Sequence, residues 1–200
     1  MRRSEFQIED NAEIEPFIKN TEVGHLGIVD QEGYPRIVPL NYIYADGSVY
    51  FHGALDGERF ELYQSNPKVT FSVDVPYSII PSYWISKDYA CPASTFFKSV
   101  HIRGSGEIVD DLPDKARFLQ LFMEKYQSEG RYKEITIDDP LYKKALIEVT
   151  LYKIRAENVK AKFKLGQSLS DKMKRKIIDL LNERNIGLDR KTAEEMKKYL

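Results

Sequence analysis

Val49-Tyr-Phe-His-Gly-Ala-Leu-Asp-Gly-Glu-Arg-Phe-Glu-Leu-Tyr-Gln-Ser-Asn-Pro-Lys-Val-Thr-Phe-Ser-Val73 reads as strand, short loop, helix and strand. Val49, Tyr50 and Phe51 are β-formers, and Gly53-Ala54 ends the run on small residues. Asp56-Gly57 opens a helix, with Asp56 as the N-cap whose carboxylate accepts free N–H groups of the first turn. Glu58 stands in that turn, where the helix dipole favours an acid. Phe60 and Tyr63 keep a helical apolar spacing, and Asn66-Pro67 stops the helix. Val69, Phe71 and Val73 alternate with Thr70 and Ser72, the pattern of a half-buried strand.

Such a loop has a chemical use. A helix N-terminus presents unpaired N–H groups and a positive dipole end, and so receives anions. Gly53 and Gly57 let a ligand approach the backbone, and Arg59 adds a forked, always-charged donor suited to phosphate. Two readings stay open from these residues alone: a phosphate-binding loop with His52 beside it, or a surface turn with a solvated arginine.

Outward from this stretch, the chain is nearly neutral, with 30 basic and 31 acidic residues, which argues against nucleic acid as the main partner. One cysteine, Cys91, excludes an internal disulfide framework; it reads as a small buried hydrophobe. No apolar run approaches the ~18 residues of a membrane helix, and Met1-Arg-Arg has no apolar core after it. A soluble, cytoplasmic protein is expected. Two hundred residues make one domain with at most an appendage. The expected division is a barrel domain over 1–160 and a C-terminal helical appendage packed on it over 161–200.

Residues 8–20 suggest a short amphipathic helix, with Pro16 breaking or restarting it. Strands follow at 23–29 and 35–44, and Asp46-Gly47 signals a hairpin into the strand at Val49. This is an antiparallel meander consistent with a barrel. Pro39 inside the second strand marks an edge or a bulge. Residues 74–98 look irregular, punctuated by Pro76, Pro81 and Pro92 among many aromatic residues, and suited to covering a ligand or a partner subunit. A long strand is expected over 99–109, where Gly104 and Gly106 imply bending or close packing. A helix over 112–126 follows, with Ala116, Leu119, Phe122 and Met123 on one face. Residues 127–142 read as polar and irregular, and 145–155 as the last barrel strand. Ser170 caps a helix with the stripe Met173, Ile177, Ile178 and Leu181; a break at 185–187 precedes a final helix beginning near Thr192. His25 and His101 read as ordinary strand residues.

Three pieces resemble the flavin-binding split-barrel superfamily of pyridoxamine 5′-phosphate oxidases. They are Gly24-His-Leu-Gly-Ile-Val-Asp-Gln-Glu-Gly-Tyr-Pro-Arg-Ile-Val-Pro-Leu-Asn-Tyr-Ile-Tyr44; Val49-Tyr-Phe-His-Gly-Ala with Gly57-Glu-Arg59 and Asn66-Pro-Lys-Val69; and Ser99-Val-His-Ile-Arg-Gly-Ser-Gly-Glu-Ile-Val109. The likeness spans about residues 1–155 and is closest to the nitroimidazole-resistance branch. The tail is more similar to another branch, the PaiB-type negative regulators, through a Lys-Phe-Lys-Leu-x-Gln run.

The resemblance implies a mainly β fold with flanking helices, an antiparallel split β-barrel that binds FMN. It implies that Val38, Pro39, Leu40 and Asn41 meet the flavin ring through their strand's main chain. Gly53, Gly57 and Arg59 would carry the phosphate, with Ala54 and Glu58 in the same cofactor-binding loop, and His52 would sit beside it near the N5 side of the flavin. The spacing of Cys91, Thr95 and Ser99 matches a family pattern, which makes Ser94, Thr95 and Ser99 contacts across a homodimer. Lys162, Lys164 and Gln167 would reach the flavin phosphate or a substrate, or form a solvated basic turn. In the nitroimidazole-resistance branch the histidine matching His52 is linked to reduction of the nitro group, so His52 is the expected catalytic residue. The implied function is a small FMN-dependent reductase or related oxidoreductase, with NAD(P)H visiting transiently. The alternatives are a non-catalytic flavin-binding or regulatory protein and a haem-binding split barrel. Pyridoxamine 5′-phosphate oxidase itself is disfavoured, because the tail after Arg155 holds no histidine.

Overall fold

The structure is a computed structural model and describes residues 3–65 and 67–200. Asn66, assigned above to the helix stop and a family motif, lies outside the described residues with Met1 and Arg2. In chain order the described elements are β1 (Gln7–Ile8), α1 (Asn11–Asn20), β2 (Val23–Val29), β3 (Pro35–Asn41), β4 (Ile43–Ala45) and β5 (Ser48–Gly53). Then come α2 (Glu58–Ser65), β6 (Lys68–Ile80), β7 (Ser94–Val109), α3 (Leu112–Tyr126), α4 (Pro140–Glu148), β8 (Thr150–Lys164), α5 (Asp171–Arg184) and α6 (Asp189–Lys197). Hydrogen bonding joins the strands in the order β3-β2-β6-β7-β8-β5-β4, with β1 antiparallel on β8.

The two ends of that order, β3 and β4, are separated in the chain by Tyr42 alone. The sheet stays open, with β3 and β4 as its two edges, and the fold is an antiparallel split barrel with flanking helices. The simple meander gives way here. The expected strand over 35–44 divides at Tyr42, so β3 pairs with β2 while β4 pairs with β5. Tertiary hydrogen bonds take Tyr42 out of both ladders. Its hydroxyl donates to Ile18 O at 2.6 Å, its N–H donates to Tyr126 Oη at 2.9 Å, and its carbonyl accepts from Lys125 Nζ at 2.9 Å. The hairpin itself follows the sequence: Asp46 (φ 51°) and Gly47 (φ 69°) sit between the paired Ala45 and Ser48.

Other boundaries shift as well. Pro16 lies inside a continuous α1 instead of breaking it. Both ends of the irregular stretch 74–98 are strand, because β6 runs on to Ile80 and β7 starts at Ser94. Residues 145–148 belong to α4, whose N-cap Asp139 accepts the Leu141 N–H at 3.0 Å, and β8 continues to Lys164. Asp139-Pro140 is a helix-start signal. By contrast, α3 spans the expected residues with Ala116 and Phe122 buried, and α5 starts on Ser170, whose Oγ accepts the Met173 N–H at 3.4 Å.

The chain divides into two compact units. One holds Glu15–Val73 and His101–Val159. Its core includes Leu26, Val49, Phe51, Phe71, Ile102, Leu151 and Tyr152, with Phe51 and Tyr152 stacked at 4.8 Å. Gly104 in β7 permits close packing there, since a Cβ would collide with the Arg155 carbonyl. The other unit holds the N-terminal segment through Ile14, Asp74–Val100 and Lys160–Leu200. There α5 and α6 are keyed to β6 by a buried polar knot. Ser78 Oγ donates to Asp189 Oδ1 at 2.7 Å, and Arg184 grips both oxygens of Asp189 at 2.7 Å. Among the described residues no helix is long and apolar enough to cross a membrane.

Candidate functional site

β5 carries His52 and Gly53 to the end of its pairing with β8, where they face Leu151 and Thr150. The chain is then pinned as it leaves the sheet. Ala54 O accepts from Thr150 Oγ1 at 2.9 Å and from Tyr152 Oη at 3.3 Å. The helix α2 begins at Glu58, one step later than expected. Gly57 O receives the N–H of Glu61 at 3.2 Å, so Gly57 takes the cap position assigned above to Asp56. Gly57 adopts φ +92°, a conformation that disfavours any residue with a Cβ. The first N–H groups of α2 have no partner within the helix and face outward from this turn.

Arg59 folds back over the strand end. Its guanidinium lies 5.4 Å from the Tyr152 ring centroid and 5.9 Å from that of Phe51. It fills the space above Gly53, where a Cβ would collide with Nη2. Its Nε–H is a buried donor with no hydrogen-bond partner among the described residues. A buried unmade hydrogen bond costs about 1–3 kcal/mol, which an acceptor arriving at this spot would recover. A phosphate fits this set: an unsatisfied guanidinium donor, the start of a helix and a glycine-lined approach. The surface-turn reading with a solvated arginine does not describe Arg59, which is half-buried against two rings.

Two contacts connect this loop with β3. Glu58 is ion-paired with Arg36 of β3 at 2.6 Å, so its carboxylate is engaged and its offer to a ligand is its backbone N–H. On the other side His52 meets Phe122 of α3 edge-on at 4.9 Å, and Phe122 stacks on Tyr126 at 6.1 Å. Tyr126 Oη in turn donates to Glu22 O at 2.6 Å, where Asn41 Nδ2 also donates at 3.3 Å. β3 is an edge strand paired without interruption, with Pro39 opposite His25, so the edge reading of Pro39 holds and no bulge occurs. Val38 and Leu40 are half-buried, while Pro39 and Asn41 are exposed. His52 itself is exposed. Desolvation by the surrounding protein, and then the charge of Arg59, lower its pKa, so the imidazole is neutral at pH 7.

Ser94, Thr95 and Ser99 lie in the other compact unit. Ser94 accepts a hydrogen bond from Lys164 Nζ, Thr95 is exposed and Ser99 is buried. Cys91 is exposed, against the expectation of a buried hydrophobe; it sits in the turn before β7. Gln167 does not face a ligand: it donates to Phe163 O at 2.6 Å and accepts from the Leu165 N–H at 2.8 Å. Sequence reasoning missed Arg36, Phe122, Thr150 and Tyr152. Phe122 was read as core, and Tyr152 shows only strand alternation; their service to the loop appears once β5, β8 and α3 are assembled.

A split barrel with a glycine-lined helix start on a strand end points to a class of small cofactor-binding proteins. The chain belongs to the pyridoxamine 5′-phosphate oxidase family, whose sequence pattern matches residues 10–163. That is a flavin-binding family of oxidoreductase type, as the three sequence motifs implied. Among solved structures, the chain is similar to a candidate 5-nitroimidazole antibiotic resistance protein from Bacteroides thetaiotaomicron. The two share 25% identity and a TM-score of 0.63 over 78% of this chain and 85% of that one. This agrees with the branch the motifs resemble. The fold is also that of a flavocytochrome from Azotobacter vinelandii, with 18% identity, TM-score 0.66, and coverage of 80% of this chain and 69% of that one. A FAD and haem binding protein from Mycobacterium smegmatis shares it at 14% identity and TM-score 0.65, over 80% and 73% of the two chains. No curated protein matches the chain in sequence.

Proposed function

We propose that this chain is an FMN-dependent oxidoreductase that reduces small molecules of the nitro-compound type, working as a homodimer with NAD(P)H as a transient electron source. The observation that carries the reading is Arg59, whose buried Nε–H lacks a partner at the start of α2, above Gly53. Phosphate at that spot distinguishes FMN from riboflavin and answers both the guanidinium and the helix N–H groups. Bound flavin supplies the electron transfer, and the protein supplies position and protons. Arg59 and the backbone of Gly57 and Glu58 hold the phosphate. The outer edge of β3, from Val38 to Asn41, offers main-chain groups to the ring. His52 exchanges a proton with the substrate through its imidazole. Ser94 and Thr95 of a second copy complete the site in this reading, with Ser99 buried behind them in its own chain. The likeness to a candidate nitroimidazole-resistance protein supports the choice of substrate class.

The test is direct. The purified protein should show a flavin spectrum, and the released cofactor should have the mass of FMN. A reduced nicotinamide bleaches it, and a nitroimidazole restores the colour anaerobically. A flavin that neither bleaches nor reoxidises makes the protein a non-catalytic binder, and a haem spectrum overturns the reading.

A further inference from the structure

The Lys-Phe-Lys run of β8 and the turn after it take no part in the loop around His52 and Arg59. Along β8, Ala161 and Phe163 are fully buried, as is Leu165 just past its end, so by strand alternation Lys162 and Lys164 share the opposite face. That face lines a cavity of about 490 Å³, the size of a small-molecule site. Phe6, Ile80 and Phe96, each nearly inaccessible, supply its apolar floor. Arg3, Lys162 and Lys164 supply its charge, and no Asp or Glu is among its lining residues. Lys164 donates to Ser94 Oγ, Lys162 Nζ lies 5.3 Å over the Phe97 ring, and Arg3 lies 5.9 Å over Phe6. Burial first, and then the like charges of Lys162 and Arg3, lower the Lys164 pKa, with no acid raising it. Three cations around an apolar floor repel one another until an anion joins them.

We propose that this cavity binds a small organic carboxylate with a flat apolar body, its acid group on Lys162, Lys164 and Arg3 and its body against Phe6, Ile80 and Phe96. The proposal takes Lys162 and Lys164 away from the flavin phosphate, which Arg59 and the start of α2 receive in the proposed function, and shares Ser94 with that reading.

Cys91 lines the same cavity, is exposed, and is the one cysteine of the chain, so its alkylation reports on the site. The protein as purified is treated in parallel with iodoacetate and iodoacetamide. Both reagents consume the same thiolate, so the ratio of their rates isolates the effect of reagent charge. The ratio should fall about ten-fold in the Lys162→Met/Lys164→Met variant, because clefts lined by one sign of charge concentrate counter-ions. The Lys162→Arg/Lys164→Arg variant should keep it. If the Met variant fails to fold, protection decides. 2-Naphthoate should shield Cys91 from iodoacetamide saturably, while acetate and 2-naphthalenemethanol at equal concentration should not. An unchanged ratio, or equal protection by the neutral alcohol, overturns the proposal. Equal protection by FMN in cofactor-stripped protein also overturns it, by assigning the cavity to the flavin. Flavin absorbance recorded alongside keeps failure of this site distinct from failure of the flavin site.

Discussion

His52 is held neutral by desolvation and by Arg59, which suits it to pass a proton near a ring edge without adding a fixed charge. His52→Ala should keep the flavin, because the donors of Arg59 and α2 remain. It should slow anaerobic reoxidation by a nitro compound about a hundred-fold, the value of a positioned general acid. The wild-type rate should rise as pH falls through the lowered pKa of His52, and stopped-flow traces of the variant should lose that rise. A second residue titrates for structural reasons. Lys125 donates to Thr21 O at 2.8 Å and Tyr42 O at 2.9 Å, and burial pushes its pKa down to about 8 from 10.5. Between those values the unfolded chain holds a proton that the folded chain has released, so stability should rise with pH across that window. Denaturant titrations at pH 8 and 10.5 should show wild-type stability rising relative to that of Lys125→Met, because buried tyrosines such as Tyr63 and Tyr77, raised by desolvation, titrate alike in both. Little of this was legible in the sequence. His52 stood out as a histidine ending a strand before a glycine-rich loop, but Lys125 looked like any basic residue in a last helical turn. Its burial depends on Tyr42 and Thr21, far away in the chain.

At the scale of elements, local signals were reliable where a cap or turn residue carries its own chemistry. Asp46-Gly47, Ser170 and the stretch 112–126 each behave as their residues dictate. The misreadings arose where tertiary contacts override propensity. Tyr42 reads as the middle of a strand, yet hydrogen bonds to Ile18, Tyr126 and Lys125 turn it into the corner between β3 and β4. Residues 145–148 alternate like a strand but follow a helix start at Asp139-Pro140. The loop before α2 was legible as residue types, though not in its details: the cap lies at Gly57, and Glu58 pairs with Arg36. Gly57→Ala should cost about 1–2 kcal/mol of stability for its left-handed backbone. Gly53→Ala should instead displace Arg59 while barely changing the fold, and so lower FMN occupancy. Thermal melts and flavin titrations of the two variants separate these outcomes.

For the whole molecule, the account requires two copies. Val23, Val29, Tyr34 and Ile37 are large apolar residues exposed on and beside the β2–β3 edge, with Ile37 69% accessible. Contiguous apolar surface on an edge strand marks an interface. Sedimentation should find a dimer at micromolar concentration, and Ile37→Glu should weaken it about ten-fold or more, as burying an unpaired charge costs several kcal/mol. The family and the barrel were readable from three motifs; the division into one compact unit of three segments and another of two was not, because no local pattern marks where β6, β7 and β8 pass from one to the other. The central claim, that Arg59 and the start of α2 receive the phosphate of a flavin, is tested by titrating FMN and riboflavin into cofactor-stripped wild type and Arg59→Ala. A charge-assisted hydrogen bond is worth about 1.5–3 kcal/mol, so the variant should lose about ten- to a hundred-fold in FMN affinity while its riboflavin affinity stays level. Equal losses for the two flavins, or no loss for FMN, would contradict it.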